Sequence, residues 1–501
     1  MGATLAGIVF GAAAVIAAFV LRPRYLPTDL AMRGAIFWIV ATPILFIMPT
    51  ALLALVVCGV ALVPLTPKAK EDRAAFYILT LVAVPANLIA FVPFPGLNYL
   101  IALNFAKVSC FALLLPPLLF SSRSNAARYA PTPGLALFLL GSLYAIQEFR
   151  SDNLTSGLRD GIDDFLLYVV PFAAIVRLIP SRAQFDRIIA TFGFVAAIFF
   201  FAAIVSEVMR WNFYTFIGQR FGMPALEAFA DIRYGFLRIG VTLNTVLSGF
   251  VMALGLLATE YFRAQRMLGF AMAWAYRGAF ALAAFFTFSR GAWLSIGLSL
   301  ATFYFFTKGP RGLRAPAVTF AAFVILPVAI FYALNADFSS VDEYGTFEYR
   351  RELLSASMRQ IGQHPLFGDA FYLTSGNFSH LVQGQGIVDV VNHYLEIALL
   401  HGLVGLGLYV GAFAAVIAGL LSLEKRIKET DDQKLELQRA VLMAATAGYL
   451  LLIATTSAVS LVSQFGVLIL ALSAAFIGAV RAEIKTGIAY EDAADEQGER
   501  S

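Results

Sequence analysis

The sequence predicts an all-α fold, a polytopic integral membrane protein with about 12–15 transmembrane helices. The first observation behind this prediction is composition: 60% of the 501 residues are hydrophobic and only 14% are charged. Soluble globular proteins contain about 45–50% apolar and about 25% charged residues. The second observation is that the apolar residues form long runs without the alternation of barrel strands. A soluble enzyme, a disordered scaffold and a disulfide-stapled secreted module are therefore excluded.

The long apolar runs give the predicted spans in order. A helix needs about 20 apolar residues to cross a hydrocarbon core of about 30 Å. Pro43 and Pro49 interrupt the stretch 34–66, so this stretch is either one long kinked helix or two short ones. Spans are predicted near 3–21, 34–48, 50–66, 74–92, 97–120, 134–148, 164–180, 188–206, 239–260, 268–288, 291–307, 316–334, 394–422, 440–459 and 460–480.

Lysine and arginine predict the orientation, because they accumulate in cytoplasmic loops. When the spans are counted out, the basic connectors 68–73, 121–133, 181–187, 261–267, 308–315 and 423–439 all fall on one side. We expect that side to be cytoplasmic. The long connectors on the outer side are 149–163, 207–238 and 335–393. The chain is thus predicted to comprise N-terminal transmembrane helices (1–334), a large outer loop (335–393), C-terminal transmembrane helices (394–480) and an acidic cytoplasmic tail (481–501).

The outer loop 335–393 is the largest polar segment of the chain. A loop of this length in a compact protein is usually functional. Within it, residues 349–363 place apolar side chains at helical spacing. The sequence therefore predicts one or two short helices that pack over the membrane face.

The four histidines, His364, His380, His393 and His401, all lie in or just after this loop. Each of them could simply be a hydrogen-bonded polar residue. Their spacings do not match a metal-binding motif, so no metal site is predicted.

Three arginines lie at predicted outer ends of spans. Arg290 stands in a turn of almost no length between two long apolar helices, and Arg233 and Arg238 precede another span. An interfacial arginine can extend to lipid head groups. A guanidinium also binds phosphate through two parallel hydrogen bonds. Together, such residues could therefore hold a lipid-linked diphosphate.

The run from Asp389 to Glu396 carries a carboxylate and an imidazole at helical spacing. If a helix begins at Asp389, then Asp389 and His393 are i,i+4 neighbours, as are Asn392 and Glu396. A carboxylate beside an imidazole can orient it as a base. The alternative is a helix N-terminus that carries Asp because the helix dipole favours it there.

Three short motifs follow one another between residues 287 and 405. They are T-F-S-R-G-A-W at 287–293, H-P-L-F-G at 364–368, and N-H-Y-L-E at 392–396 with G-L-V-G at 402–405. These motifs resemble the T-x-S-R-G, H-P-x-x-G and H-N-x-Y-L…G-L-x-G segments of the O-antigen ligase and polymerase family. That family comprises the WaaL-type ligases and Wzy-type polymerases of bacterial surface polysaccharides (Wzy_C-like).

One position departs from the family pattern. The family usually has a histidine directly before the asparagine, where this chain has Val391. The nearest replacements are His393 and Asp389, so the resemblance implies one of these as the catalytic base. The form G-x-x-D-x-V-N-x-Y-L at 386–395 is more similar to exopolysaccharide-type polymerases than to ligases.

The resemblance implies a metal-independent, inverting glycosyltransferase of the GT-C type without a cofactor, in the bacterial inner membrane. Its donor would be a glycan on undecaprenyl diphosphate at the periplasmic face, bound through Arg233, Arg238 and Arg290. Its other partners would be an acceptor glycan-lipid, a chain-length regulator and membrane lipids, with no nucleic acid.

Glycan-binding positions also follow from the resemblance. They would be Asn392, Tyr394, His364 and Tyr372. Trp211 and Tyr214 are further candidates for stacking on sugars, although an aromatic belt at the membrane interface explains them as well.

The functional alternatives differ in acceptor or in class. A polymerase would extend a lipid-linked repeat unit, and a ligase would transfer the glycan to lipid A core. The third alternative is a transporter without chemistry, which requires charged residues at mid-membrane depth. Lys107 and Arg277 are the main charges inside predicted spans, and we expect no carboxylate at matching depth.

Overall fold

The computed structural model describes residues 2–22, 25–96, 98–120, 131–150, 153–179, 181–222, 232–233, 235–309, 346–382, 388–430, 432–457, 459 and 461–498. The predicted span 316–334 lies outside the described residues.

Helices dominate this part of the chain. They are α1 (Gly2–Val20), α2 (Thr28–Ile47), α3 (Ala51–Leu65), α4 (Arg73–Leu81), α5 (Phe105–Phe120), α6 (Pro131–Gln147), α7 (Leu154–Leu178), α8 (Phe185–Met209), α9 (Phe213–Arg220), α10 (Thr245–Ala264), α11 (Phe270–Phe286), α12 (Arg290–Lys308), α13 (Thr346–Gln363), α14 (His393–Ser422), α15 (Glu424–Thr430), α16 (Gln433–Ile453) and α17 (Val462–Gly498). Two antiparallel hairpins pair β1 (Ile89–Phe91) with β2 (Ala102–Asn104) and β3 (Ile232–Arg233) with β4 (Phe236–Leu237).

Seven of the described helices are long and apolar enough to cross a membrane: α1, α2, α8, α10, α14, α16 and α17. The shorter apolar helices α3, α5 and α11 accompany them. The prediction of an all-α, polytopic membrane protein is therefore confirmed. The ambiguous stretch 34–66 forms two helices, because the chain leaves α2 at Met48 and the Thr50 side chain caps α3 by accepting from the Leu53 amide.

Two predicted spans are wrong in part. The span 74–92 contains the short α4 and the strand β1, and in the span 97–120 the strand β2 precedes α5, which starts at Phe105. Pro85, Pro93 and Pro95 lie between α4 and β2, where each removes an amide donor that a helix needs. The apolar composition of this stretch suggested a crossing, but its prolines favour a hairpin.

Charged connectors meet at one end of the bundle. Arg182 bridges to Asp432 (2.6 Å) and Glu483 (2.8 Å), and Lys434 bridges to Asp186 (2.6 Å). Basic connectors that were predicted to share one side of the membrane thus contact one another. The last helix, α17, continues from this end to Gly498, beyond the predicted end of its span at 480.

Both charges inside the predicted spans have carboxylate partners, contrary to the expectation from sequence. The Lys107 ammonium lies 2.6 Å from Asp163 of α7. The Arg277 guanidinium donates to both Glu260 oxygens at 2.5 and 2.7 Å, and the Tyr304 hydroxyl donates to the same carboxylate. Neither ion pair is evident from the sequence, because each joins two different helices.

The Arg277–Glu260 pair gives a stability prediction. Arg277→Ala leaves the Glu260 side chain, which is only 6% exposed, without its counter-ion. Breaking a buried ion pair from one side costs about 3–5 kcal/mol, so we expect a clearly lower Tm for the protein in nanodiscs. The paired variant Glu260→Gln/Arg277→Met removes both charges and should recover most of the loss. Equal Tm values for the two variants would contradict this account.

Candidate active site

The T-F-S-R-G-A-W motif forms the tight turn between α11 and α12. The Ser289 hydroxyl caps α12 by accepting from the Ala292 amide, and the Trp293 indole reaches back to the Ala284 carbonyl at 2.8 Å. Phe288 adopts a left-handed conformation with φ of 44°. We call residues 287–291 the arginine turn. Arg290 is the first residue of α12, and its exposed guanidinium makes no hydrogen bond or ion pair with any other residue in the described ranges.

The other two predicted arginines reach the same turn. Arg233 donates to the Phe288 carbonyl (3.4 Å) and Arg238 donates to the Thr287 carbonyl (3.3 Å). The structure thus brings Arg233, Arg238 and Arg290 together although they come from two segments of the chain. Positive side chains near a helix N-terminus, where the helix dipole is also positive, are an arrangement that favours an anion.

An ion pair at the end of α8 fixes the hairpin that carries Arg233. The Glu207 carboxylate at the end of α8 accepts from the Leu237 amide (2.8 Å) and pairs with Arg210 (2.7 Å). Arg210 in turn donates to the Gly235 carbonyl at 2.6 Å. The hairpin β3–β4 is therefore held against α8 as well as against the arginine turn.

The segment after α16, residues 454–457, contacts both the arginine turn and Asp389, one of the two predicted bases. Thr455 packs so closely on the backbone of Gly291 that a Cβ there would lie 2.1 Å from the Thr455 hydroxyl oxygen. Two residues later, Ser457 lies beside the Asp389 carboxylate, where its side chain lowers the pKa of that group. The two halves of the predicted site, which are about 100 positions apart in sequence, therefore contact one short segment.

The loop helix α13 holds Asp389 in place. The Tyr349 hydroxyl of α13 contacts both the amide (3.0 Å) and the carbonyl (2.9 Å) of Asp389. Burial raises the pKa of the Asp389 carboxyl above its usual value, and the charge of Glu396 raises it further. The Ser457 side chain and the nearby Arg350 guanidinium oppose this shift.

The predicted helical register of Asp389 and His393 is wrong. The helix α14 begins at His393, and Asn392 is its N-cap, whose side chain accepts from the Tyr394 and Leu395 amides. Asp389 therefore precedes the helix. The carboxylate that contacts His393 belongs to Glu396, 3.0 Å from Nδ1. Asn392 caps the helix and Asp389, three positions earlier, does not, because only Asn392 stands where the chain turns into the helix.

The His393 ring is buried, with a side chain only 4% exposed. Its Nδ1 faces Glu396, and its Nε2 has no hydrogen-bond partner among the residues that the structure describes. The ring also lies edge-on to Tyr409, with 5.5 Å between centroids. The His393 side chain therefore has little contact with solvent.

The predicted glycan-binding residues differ in exposure. His364 is exposed, and the Tyr394 hydroxyl donates to the Leu450 carbonyl (2.9 Å). Tyr372 is buried in a small apolar core of the loop, where its ring lies edge-on to Phe378. Tyr214 is buried in the main core, 1% exposed, so neither tyrosine presents a ring face to a sugar.

Of the remaining candidates, Trp211 is half-buried against Phe213 and Phe216, and His380 is exposed in a short turn of the outer loop. The loop helix predicted over 349–363 is confirmed as α13. In the part of the chain that the structure describes, no three His, Cys, Asp or Glu side chains form a group that could hold a metal ion.

The H-P-L-F-G motif closes a break in α14. Gly402 is non-helical (φ 69°, ψ −173°), so the amides after it find no acceptor in their own helix. The Leu403 amide donates to the Pro365 carbonyl (2.8 Å), and the Val404 amide donates to the Leu366 carbonyl (3.2 Å). A Cβ on Gly402 would lie 2.2 Å from the Leu366 oxygen, which explains why the position requires glycine. The motif thus has an architectural role that sequence analysis did not suggest.

Several residues near the site were not identified from the sequence. Glu396 was noted only as a neighbour of Asn392, although its position three residues after His393 was a usable signal. Tyr349, Arg350 and Ser457 left no signal, because their contact with Asp389 depends on how the loop packs.

Comparison with known proteins finds one similarity to a described family. A family model described as O-antigen ligase matches residues 278–410, a segment that contains the arginine turn, the H-P-L-F-G motif, Asp389 and His393. No curated protein matches the chain. The family indicates ligase- or polymerase-type glycosyl transfer, and it suggests a lipid-linked glycan as substrate. Over residues 278–410, this membrane protein is therefore similar to the O-antigen ligase family.

Proposed function

We propose that the protein polymerises a bacterial surface polysaccharide, an O-antigen or exopolysaccharide, from repeat units on undecaprenyl diphosphate. The reaction takes place at the periplasmic face of the inner membrane. The observation that carries this proposal is the contact of both the arginine turn and Asp389 with residues 454–457. This contact supports a site in which positively charged side chains bind a diphosphate near a carboxylate that can accept a proton.

The step itself is an inverting substitution. The oxygen of an acceptor hydroxyl forms a bond to the anomeric carbon of the donor glycan, from the face opposite the diphosphate. The bond between that carbon and the diphosphate oxygen breaks, and undecaprenyl diphosphate leaves with the electron pair. The hydroxyl proton passes to the Asp389 carboxylate. Arg233, Arg238 and Arg290 stabilise the charge that develops on the leaving group.

We favour Asp389 over His393 as the base. Asp389 is only partly buried, and a carboxyl with a raised pKa is a stronger base than an ordinary one. His393 is buried, and its Nδ1 is already bound to Glu396. In this proposal His393 and Glu396 position the start of α14, and Asn392 caps it. Tyr394 and His364 flank the glycan.

The pH profile tests the assignment of Asp389. As a base it must be ionised, so kcat/KM falls as the pH drops through its pKa. Glu396→Gln removes a charge that raises this pKa, so the acid limb should move to lower pH. Arg350→Ala removes a charge that lowers it, so the limb should move to higher pH. Asp389→Asn should abolish the limb together with the activity. Shifts in the same direction for both charge variants would contradict Asp389 as the base.

A ligase is the second candidate, because the family model is described by that activity. A deletion strain separates the two: surface and lipid-linked glycans are resolved by size. Single repeat units without long chains would support the polymerase. Full-length polymer retained on undecaprenyl diphosphate would support the ligase. An unchanged glycan profile would contradict both and would favour the transporter.

A further inference from the structure

A group of side chains at the end of α6 binds the place where the outer loop meets the break in α14. We call Tyr144, Gln147 and Arg150 the α6 latch. They are spaced three residues apart and therefore share one face of α6 and the turn that follows it. This face lies outside the segment that matches the family model.

Arg150 contributes three of the contacts. Its guanidinium donates to the carbonyls of Phe367 (2.8 Å) and Gly368 (3.2 Å) in the loop. It also donates to the Leu400 carbonyl (2.8 Å), which the break in α14 leaves without a helical partner. A cation at the C-terminal end of a helix segment is also favoured by the helix dipole. Arg150 thus binds both sides of the junction through backbone oxygens alone.

The other two latch residues hold α14 from the side. The Gln147 amide donates to the Phe367 carbonyl (3.2 Å), and its oxygen lies 2.6 Å from Nδ1 of His401. The His401 ring stacks on Tyr144 with 3.7 Å between centroids and an angle of 19°. His401, which sequence analysis left without a role, is therefore the α14 side of the latch.

The half of α14 that the latch contacts is the half that carries the site. Residues 393–401 precede the break and include His393 and Glu396. Asp389 lies in the segment that leads directly into this half-helix. The arginine turn is held instead by β3–β4 and by residues 454–457. A change at the latch should therefore move the base side of the site while the diphosphate side stays in place.

We propose that the α6 latch, with Arg150 at its centre, positions Asp389 and the start of α14 for glycosyl transfer. This inference rests on the proposed function for its kinetic consequence but not for its structural one. The latch residues do not touch substrate, so they are positioning residues and not catalytic ones. A displacement of about 1 Å at a reacting group can lower a rate by about 10²-fold.

The test uses the full chain in nanodiscs, with the lipid-linked glycan extracted from the deletion strain as donor. Two quantities are measured for Arg150→Ala: hydrogen exchange of peptides covering 364–370 and 399–405, and kcat and KM for that donor. We expect at least about 10-fold faster exchange in both peptides, about 10- to 100-fold lower kcat, and KM within about twofold. Arg150→Lys, which keeps the charge but not the fork of donors, should recover part of kcat.

Arg177→Ala is the matched control. Arg177 is also half-buried and donates to a backbone carbonyl, that of Leu118 at 2.6 Å, which belongs to α5 and not to the loop or to α14. It should leave the exchange of both peptides and kcat unchanged.

Three outcomes would overturn the inference: unchanged exchange in Arg150→Ala, faster exchange with unchanged kcat, or the same loss in the Arg177→Ala control. A wild-type protein that is inactive on the extracted donor would instead contradict the proposed function. In that case the exchange measurement alone decides whether the latch holds the loop, and unchanged exchange would overturn it.

Discussion

Replacing Arg290 by alanine is expected to lower glycan transfer by about 10²–10³-fold, the usual effect of removing one preorganised donor to a developing charge. Among Arg233, Arg238 and Arg290, only Arg290 is exposed. Its guanidinium has no hydrogen-bond or ion-pair partner among the described residues. Arg233 and Arg238 already donate to carbonyls of the turn. Arg290 is therefore the group with the most freedom to bind a diphosphate.

The measurement is complementation of the deletion strain, with transfer rates in membranes that contain equal amounts of each variant. Arg290→Lys should also be impaired, because an ammonium cannot form the bidentate contact with phosphate. Arg266→Ala is the control: Arg266 is exposed at the opposite end of α11. Full complementation by Arg290→Ala at normal abundance would show that this residue does not bind the diphosphate.

Replacing Gly402 by alanine is expected to have the largest effect on stability. Its φ of 69° and ψ of −173° lie in a region that is almost exclusive to glycine, which penalises a residue with a Cβ by about 1–3 kcal/mol. The new Cβ would also lie 2.2 Å from the Leu366 oxygen, and overpacking of this kind costs about 1–3 kcal/mol. Because the clash is with backbone, the loop must move away from α14. We expect lower abundance, a lower Tm and faster proteolysis of the outer loop.

Gly407→Ala provides the comparison within the same helix. A Cβ at Gly407 would meet no atom within 4 Å. Since alanine favours helix over glycine by up to about 1 kcal/mol, this variant should be as stable as the wild type or slightly more stable. If Gly402→Ala and Gly407→Ala behave alike, then the close approach of the loop to α14 is not a requirement of the fold.

Hydropathy predicted most of the fold because the bilayer permits few alternatives to helices. It failed between α4 and α5, where Pro85, Pro93 and Pro95 interrupt an apolar stretch. It also missed the partners of Lys107 and Arg277. Hydropathy scores one segment at a time, whereas Asp163 and Glu260 reach these charges from other helices.

The site was predictable to a similar degree. The arginine turn follows from local sequence, since Ser289 and Arg290 mark a helix start that needs no information from elsewhere. The relation between Asp389 and His393 was wrong because it depends on which residue caps α14, and Asn392 takes that position. The contacts of Ser457, Tyr349 and Arg150 depend on tertiary packing, which the pattern of one sequence does not contain.

Because carbonyls of the H-P-L-F-G motif complete the hydrogen bonding of α14, the outer loop cannot be grafted onto this protein as an independent module. An amide that lacks an acceptor in apolar surroundings costs several kcal/mol. A chimaera that takes its loop from a relative must therefore also take the relative's residues at 399–404. The amides at positions 403 and 404 then keep matching carbonyl acceptors in the loop. When the loop is altered to change sugar specificity, the protein should tolerate substitutions in α13 far better than an insertion or deletion of one residue between 364 and 369.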